Sequence, residues 1–255
     1  MGVRFIKDIN SSNKFRFLRG LNAYEKIKFL KTIATSIVEP TTDGLVARFK
    51  ADAGITESGG IITSWADQSG GASVATAYNG PTLITNQLNG RPAVYMNGID
   101  QQYFTFSLNN FIGDGRTCII IYKYNSMVGQ KGILDTDNSD GYIFHYNSNL
   151  YYYIENNGDS LQIGPVSGDF ISNYFVETVS TDVDTLTTLR INGIDKTSNL
   201  MALPVIGNFV IGARSSQGDG ETEFVDANIV EILIYNRKLS NLEIQEIETY
   251  ANVPV

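Results

Sequence analysis

The 255 residues carry 42% hydrophobic and 18% charged side chains, a balance that supports a packed core and is too apolar for intrinsic disorder. The formal charge of −8 is unevenly spread: residues 1–40 hold eight Lys/Arg against three Asp/Glu, while the remainder holds 11 against 24, so an arm of net charge +5 precedes a body of −13. An acidic body argues against a nucleic-acid partner, no apolar run reaches the roughly 18 residues of a membrane-spanning helix, and a single cysteine with a single histidine excludes an internal disulfide and the usual side-chain zinc sites.

The chain opens with Arg4 and Lys7 and no apolar stretch behind them, which does not read as a secretory leader. Asn22 stands at a helix start with Glu25 three residues on, and Tyr24, Ile27, Leu30, Ile33 and Ile37 recur at helical spacing to make one apolar stripe. Pro40 and Thr41-Thr42-Asp43-Gly44 end that helix. Residues 1–42 are therefore expected to form an anchoring or oligomerising arm, with the stripe as its contact surface and its basic charge directed at an acidic structural partner. Packing of the stripe on the chain's own body is the competing expectation.

From Gly44 onward the pattern is strands broken by turns every 8 to 12 residues, the signature of an all-β sandwich or jelly roll. The runs are Leu45 to Phe49, Ala93 to Met96, Phe104 to Leu108, Thr117 to Tyr124, Tyr142 to Asn147, Leu150 to Glu155, Phe175 to Ser180, Thr185 to Ile191, Phe209 to Ala213 and Ile229 to Tyr235. Cys118 falls inside the apolar run Thr117–Tyr122 and reads as a small core residue. Asn192-Gly193 is a two-residue hairpin turn, since both residues tolerate positive φ.

The most unusual surface is the hairpin from Tyr142 to Glu155. With Ser148-Asn149 as its turn, Tyr142, Phe144, Tyr146, Tyr151 and Tyr153 share one face, while Ile143, His145, Leu150, Tyr152 and Ile154 share the other. The aliphatic face is the natural core, which leaves the aromatic stripe to a ligand or a sister subunit; aromatic packing in the core is the alternative. Catalysis is not expected. His145 has no serine or cysteine motif beside it, and Glu221-Thr-Glu223, whose carboxylates would share a strand face, reads as part of a solvated polar loop from Ser215 to Glu223.

The chain closes on a strand, Ile229 to Tyr235, interrupted only by Glu231, that runs directly into a helix. Ser240 and Glu243 stand at capping-box spacing, and Leu239 and Ile244 are placed as a hydrophobic staple. This ending resembles that of the laminin G-like, concanavalin A-like jelly-roll domains. Four further segments resemble the same family in the same order: Gly44 to Gly54 as its opening strand, Trp65-Ala-Asp-Gln-Ser-Gly70 as its turn, Pro81 to Gly98 with Asn89-Gly-Arg-Pro-Ala-Val-Tyr-Met-Asn-Gly98, and Leu189-Arg-Ile-Asn-Gly193.

The resemblance implies a two-sheet antiparallel jelly roll over residues 43–255 with a short C-terminal closing helix, acting as a non-catalytic recognition module that binds glycans or a host surface. Domains of this kind occur in secreted adhesion proteins and in bacteriophage virion proteins such as capsid decorations and fibres. The basic arm and the absence of a leader or disulfide pair favour the virion setting: synthesis in the host cytoplasm, attachment to a shell protein through the arm, a homo-oligomer, and an outward-facing jelly roll; an extracellular protein is the alternative. A decoration protein without a ligand and a polysaccharide-degrading enzyme remain as rival functions. The family also admits a calcium ion. Asp135 to Gly141 supplies three carboxylates, but its glycine comes one position late for an EF-hand and Tyr146 stands where Glu is needed, so no cofactor is expected.

Overall fold

The strands buried most completely, at residues 116–126, 175–181 and 226–235, lie together in one of two sheets. The computed structural model describes residues 39–108, 115–136, 143–146, 150–156, 159–166, 170–181, 186–200, 208–216 and 220–253. The expected helix with Tyr24, Ile27, Leu30, Ile33 and Ile37, residue Tyr142 and most of the acidic loop after Asp135 lie outside them.

The first sheet contains β1 (Leu45–Lys50), β5 (Thr82–Leu88), β6 (Arg91–Met96), β8 (Arg116–Ser126), β13 (Phe175–Thr181), β14 (Leu186–Ile191), β15 (Ile194–Leu200) and β19 (Asp226–Tyr235). Its order is β15-β14-β13-β8-β19-β6-β5. The long strand β19 has β8 along one side; on the other it pairs with β6 through Ala227–Ile229 and then with β1 through Glu231–Tyr235. The second sheet contains β2 (Ile55–Ser58), β3 (Ile61–Ala66), β4 (Val74–Tyr78), β7 (Tyr103–Ser107), β9 (Gln130–Thr136), β10 (Ile143–Tyr146), β11 (Leu150–Asn156), β12 (Asp159–Val166) and β16 (Asn208–Ile211), in the order β12-β11-β10-β9-β16-β7-β4-β3-β2. A hairpin of β17 (Arg214–Ser216) and β18 (Gly220–Thr222) stands apart, and one helix, α1 (Asn241–Ala251), completes the described elements. All pairings are antiparallel, and the architecture is the expected jelly-roll sandwich with its closing helix.

Two apolar clusters explain the layering. Between the sheets, Phe49, Ile120, Tyr122, Phe175, Ile232 and Ile234 meet Trp65, Phe104, Phe106, Phe209 and Ile211. Phe49 crosses from one sheet to the other, with its ring centroid 5.6 Å from Trp65 and 4.7 Å edge-on from Phe106, which in turn stacks on Phe209 at 5.0 Å. On the far side of the first sheet, Ile119, Ile121, Val176, Val230, Leu233 and Tyr235 pack under Leu239, Ile244, Ile247 and Ala251 of the closing segment. Burial on both faces is why β8 and β19 read as long apolar runs, broken in the second half of β19 only by Glu231. The second sheet has one wet face, so β4 and β7 alternate in burial. Cys118 is a buried free thiol of the inter-sheet core whose pKa is raised by burial and by the nearby Glu177.

The helix start forms as the sequence predicts. Ser240 Oγ accepts from the Glu243 amide at 3.3 Å, and Glu243 Oε2 accepts from the Ser240 amide at 2.8 Å. Leu239 and Ile244 are both buried in the cluster below. Arg237 adds a two-pronged contact to the Glu243 carboxylate at 2.6 and 3.1 Å. Its guanidinium, followed by the Ser240 bonds, lowers the Glu243 pKa to about 2 against the opposing effect of burial. Asn192-Gly193, at φ of 46° and 81°, turns β14 into β15 as expected.

Several strands were not anticipated from the sequence: β2 to β5, β9, β12 and β15. Trp65, assigned to a turn by resemblance, lies inside β3, with its indole donating to the Lys50 carbonyl at 2.9 Å. The turn proper is built on Asp67, whose carboxylate accepts from the backbone of Arg48, Ser69 and Gly71 and from the Ser69 hydroxyl. The polar loop expected from Ser215 to Glu223 is largely the hairpin β17–β18, paired through Arg214↔Thr222, Ser215↔Glu221 and Ser216↔Gly220.

Glu231 is the carboxylate inside the closing strand. It is 0% exposed and accepts from Arg48 Nε at 2.7 Å, from Arg91 and from the Tyr250 hydroxyl at 2.9 Å. Replacing it with alanine leaves two mostly buried guanidinium groups uncompensated, so Glu231→Ala should lose about 3–5 kcal/mol of stability, read from urea unfolding. The contribution of Glu243 follows from its depressed folded pKa. It is fully present above the unfolded value near 4.5 and is lost as pH falls toward about 2. Glu243→Gln should therefore flatten the wild-type fall in melting temperature between those limits.

Candidate ligand-binding surface

The outer face of the second sheet is exposed along β4 and β7 and closed at Val210 of β16, which is 2% exposed, and its composition is set by alternation. Phe104, Phe106, Phe209, Ile211 and Ala75 point into the sandwich. Their neighbours Tyr103, Thr105, Ser107, Asn208, Val210, Val74, Thr76 and Tyr78 therefore project the other way. Register aligns these into rows: Tyr78 opposite Tyr103, Thr76 opposite Thr105, Thr105 opposite Val210, and Ser107 opposite Asn208.

A groove of about 550 Å³ runs across this face, lined by Gly71 to Val74, Thr76, Thr105 to Ser107, Asn208 to Val210 and Glu221. Its polar lining is hydroxyls, the Asn208 amide and the Glu221 carboxylate, with Val74 and Val210 as apolar lining. Ser73 Oγ donates to the Ser107 carbonyl at 2.9 Å, and Ser107 Oγ donates to Asn208 Oδ1 at 2.5 Å, which fixes the amide at the groove wall.

One row along from Thr76 and Thr105, the rings of Tyr78 and Tyr103 stack in parallel, with centroids 4.6 Å apart and planes within 5°. Tyr78 remains 40% exposed, and Phe224 approaches Tyr103 at 5.9 Å from another side. The carboxylate of Glu221 lies beside the Tyr103 hydroxyl. Burial first, and that carboxylate second, push its pKa up to about 12, so it is a phenol donor at neutral pH. Glu221 thus belongs both to the groove and to the aromatic pair.

The hairpin that carries Glu221 is held close to the sheet at Gly132, whose amide donates to the Glu223 carbonyl at 2.9 Å. A β-carbon there would lie 2.4 Å from the Ala213 backbone, so only glycine allows this approach. Lys131 reaches over to the Phe224 carbonyl at 2.9 Å. The two carboxylates expected to share one strand face diverge instead. Glu223 leaves the strand at φ 52° and pairs with Arg214 at 3.3 Å, while Glu221 turns to Tyr103.

The aromatic stripe expected from the sequence lies in the same sheet, three to five strands away from β7 and β4. Phe144 is directly opposite Tyr153, and His145 opposite Tyr152, matching the anticipated register. Tyr146 and Tyr151 lie on those strands, β10 and β11, and Tyr142 is outside the described residues. What sequence reasoning missed is the Tyr78–Tyr103 pair. Its signal was present in the alternation of Val74-Ala-Thr-Ala-Tyr78 and Tyr103-Phe-Thr-Phe-Ser107, but pairing of these segments is non-local. Among the described residues no cluster of His, Cys, Asp or Glu has metal-binding arrangement.

Neither protein-family profiles nor the curated proteins give a sequence match to this chain. Solved structures do match in fold. The binding domain of botulinum neurotoxin DC in complex with rat synaptotagmin II aligns at TM-score 0.61 and 14% identity, covering 83% of this chain and 52% of that one. The same domain in complex with SialylT aligns at TM-score 0.62 with the same identity and coverage. A botulinum neurotoxin type C structure, described as dependent for cell entry on two ganglioside molecules, aligns at TM-score 0.60 and 15% identity over the same shares of the two chains. This chain spans about half the length of those structures, and at such identities the likeness establishes a shared jelly-roll fold.

Proposed function

We propose that this chain is a non-catalytic glycan-binding module that works through the wet face of its second sheet. The observation that carries the reading is the open groove of hydroxyl and amide groups beside the stacked and partly exposed Tyr78–Tyr103 pair. A sugar offers one face of C–H bonds and a rim of hydroxyls, and it is matched by an aromatic plane next to neutral donors and acceptors. The fold relatives described as bound to SialylT and dependent on gangliosides support the same use of the jelly roll. Binding is favoured over hydrolysis because Glu223 is held by Arg214 at 3.3 Å rather than left as a catalytic partner for Glu221. Phe144 and Tyr146 of β10 and Tyr151 and Tyr153 of β11, in the same sheet, extend the proposed contact surface.

In this proposal the basic arm, residues 1–42, tethers the module to an acidic structural protein and gathers chains into a homo-oligomer through Tyr24, Ile27, Leu30, Ile33 and Ile37. The assembly is proposed to sit on a phage virion surface, a reading supported by the resemblance of the body to laminin G-like domains. The charge contrast between arm and body supports such a division of labour.

The full-length protein should bind a subset of saccharides on a glycan array, and Tyr78→Ala should weaken that signal by about tenfold or more while lowering the melting temperature only by the modest loss of one stacked pair. A blank array overturns the reading. For the arm, Ile27→Asp combined with Leu30→Asp and Ile33→Asp should convert an oligomer to a monomer in light scattering. An unchanged mass for that variant, or a monomeric wild type, rejects the arm as the oligomerising element.

A further inference from the structure

We infer that the groove across β4, β7 and β16 accepts an uncharged oligosaccharide and rejects sialylated or sulfated chains, an inference that rests on the glycan-binding reading above. The charge lining decides this. Glu221 is the one ionisable residue among the described groove residues; the rest are Gly71, Ala72, Ser73, Val74, Thr76, Thr105 and their neighbours on β7 and β16. Cations near the hairpin are directed elsewhere, Arg214 to Glu223 and Lys131 to the Phe224 carbonyl.

An anionic sugar recognised specifically needs a guanidinium, an ammonium or a set of backbone amides to replace its hydration. Here its carboxylate or sulfate would meet a like charge in a partly desolvated groove, an arrangement that weakens binding at interfaces. The surrounding body of net charge −13 repels anions at longer range. Sugar hydroxyls meet the opposite situation. The Glu221 carboxylate offers acceptor sites, and Ser73, Thr76, Thr105, Ser107 and Asn208 present neutral polar groups along the walls.

Shape adds a length preference. Three side-chain rows, from Tyr78 and Tyr103 through Thr76 and Thr105 to Val74 and Ser107, extend over roughly 14 Å at the usual strand rise. That is room for a short oligosaccharide reaching from the groove to the tyrosine pair rather than for a single ring. Val74, 51% exposed, supplies an apolar surface at the far end from the tyrosines.

The test is a titration of the full-length protein with neutral oligosaccharides and with their sialylated and sulfated counterparts, using wild type, Glu221→Gln and Thr76→Tyr. Neutral chains should bind at least about tenfold more tightly than anionic ones, and Glu221→Gln should narrow that gap to about threefold or less. Higher salt should narrow it too, because the repulsion is screened. Thr76→Tyr, which fills the groove from an exposed strand position without removing a core contact, should abolish binding of neutral chains. Anionic chains binding as well as or better than neutral ones, or a gap unchanged in Glu221→Gln, would overturn this inference while leaving glycan binding intact. Neutral binding that survives Thr76→Tyr would place the site outside this groove. Failure of every saccharide to bind would remove the underlying reading as well.

Discussion

A carboxylate with no access to water must be compensated from several directions at once, and Glu231 draws those compensating groups from three other elements. Arg48 comes from β1, Arg91 from β6 and Tyr250 from α1. Both guanidinium groups also lie over the Tyr250 ring, at 5.6 and 5.1 Å from its centroid. Burial and the Glu231 charge raise the pKa of the phenol, so it remains a donor. The net energy of such a cluster is small compared with that of its apolar surroundings, because desolvation offsets most of the Coulomb gain. Its effect is positional: a slip of any one of these elements would strand a charge in the core.

The position of Glu231 depends on a bulge. Between Ile229 and Glu231 the pairing of β19 with β8 shifts by one residue, leaving Val230 as the extra one, and its carbonyl accepts from the Ala51 amide at 3.0 Å. The bulge lets Ile229, Ile232 and Ile234 face the sandwich while Glu231, Leu233 and Tyr235 face the helix. It also marks where β6 gives way to β1 along the same strand edge. The closing helix is thus registered on a sheet whose central strand changes partners midway. Covering that face with a helix leaves the second sheet as the one with an open side.

Legibility in the sequence follows the same division. Elements specified locally were readable: the capping box of Ser240 and Glu243, the Asn192-Gly193 turn, and the two-sided runs at Thr117–Tyr122 and Ile229–Tyr235, whose apolar continuity carries its own boundaries. The strands that escaped notice, among them Ile55–Ser58, Val74–Tyr78 and Thr82–Leu88, are short, rich in Thr and exposed on one side, so half their residues imitate a loop. Glu231 stood out only as an interruption. Nothing local says that Arg48, 183 positions earlier, lies 2.7 Å away. The Tyr78–Tyr103 pair was hidden for the same reason, since the two rings share a surface only after β4 and β7 have paired.

The open face is also where this fold is least constrained by its own stability. Thr76, Thr105 and Ser107 support no apolar cluster, and substitution there should be governed by what the surface contacts rather than by folding. The opposite face of the same strands carries Phe104, Phe106 and Ala75, fixed by the inter-sheet core. Alternation therefore separates the two demands residue by residue along a single strand: every second side chain holds the sandwich together, and those between are available for recognition. Glu221 extends that freedom, because it reaches the groove from a separate hairpin. Change in β17–β18 can then alter the charge of the site without altering either sheet.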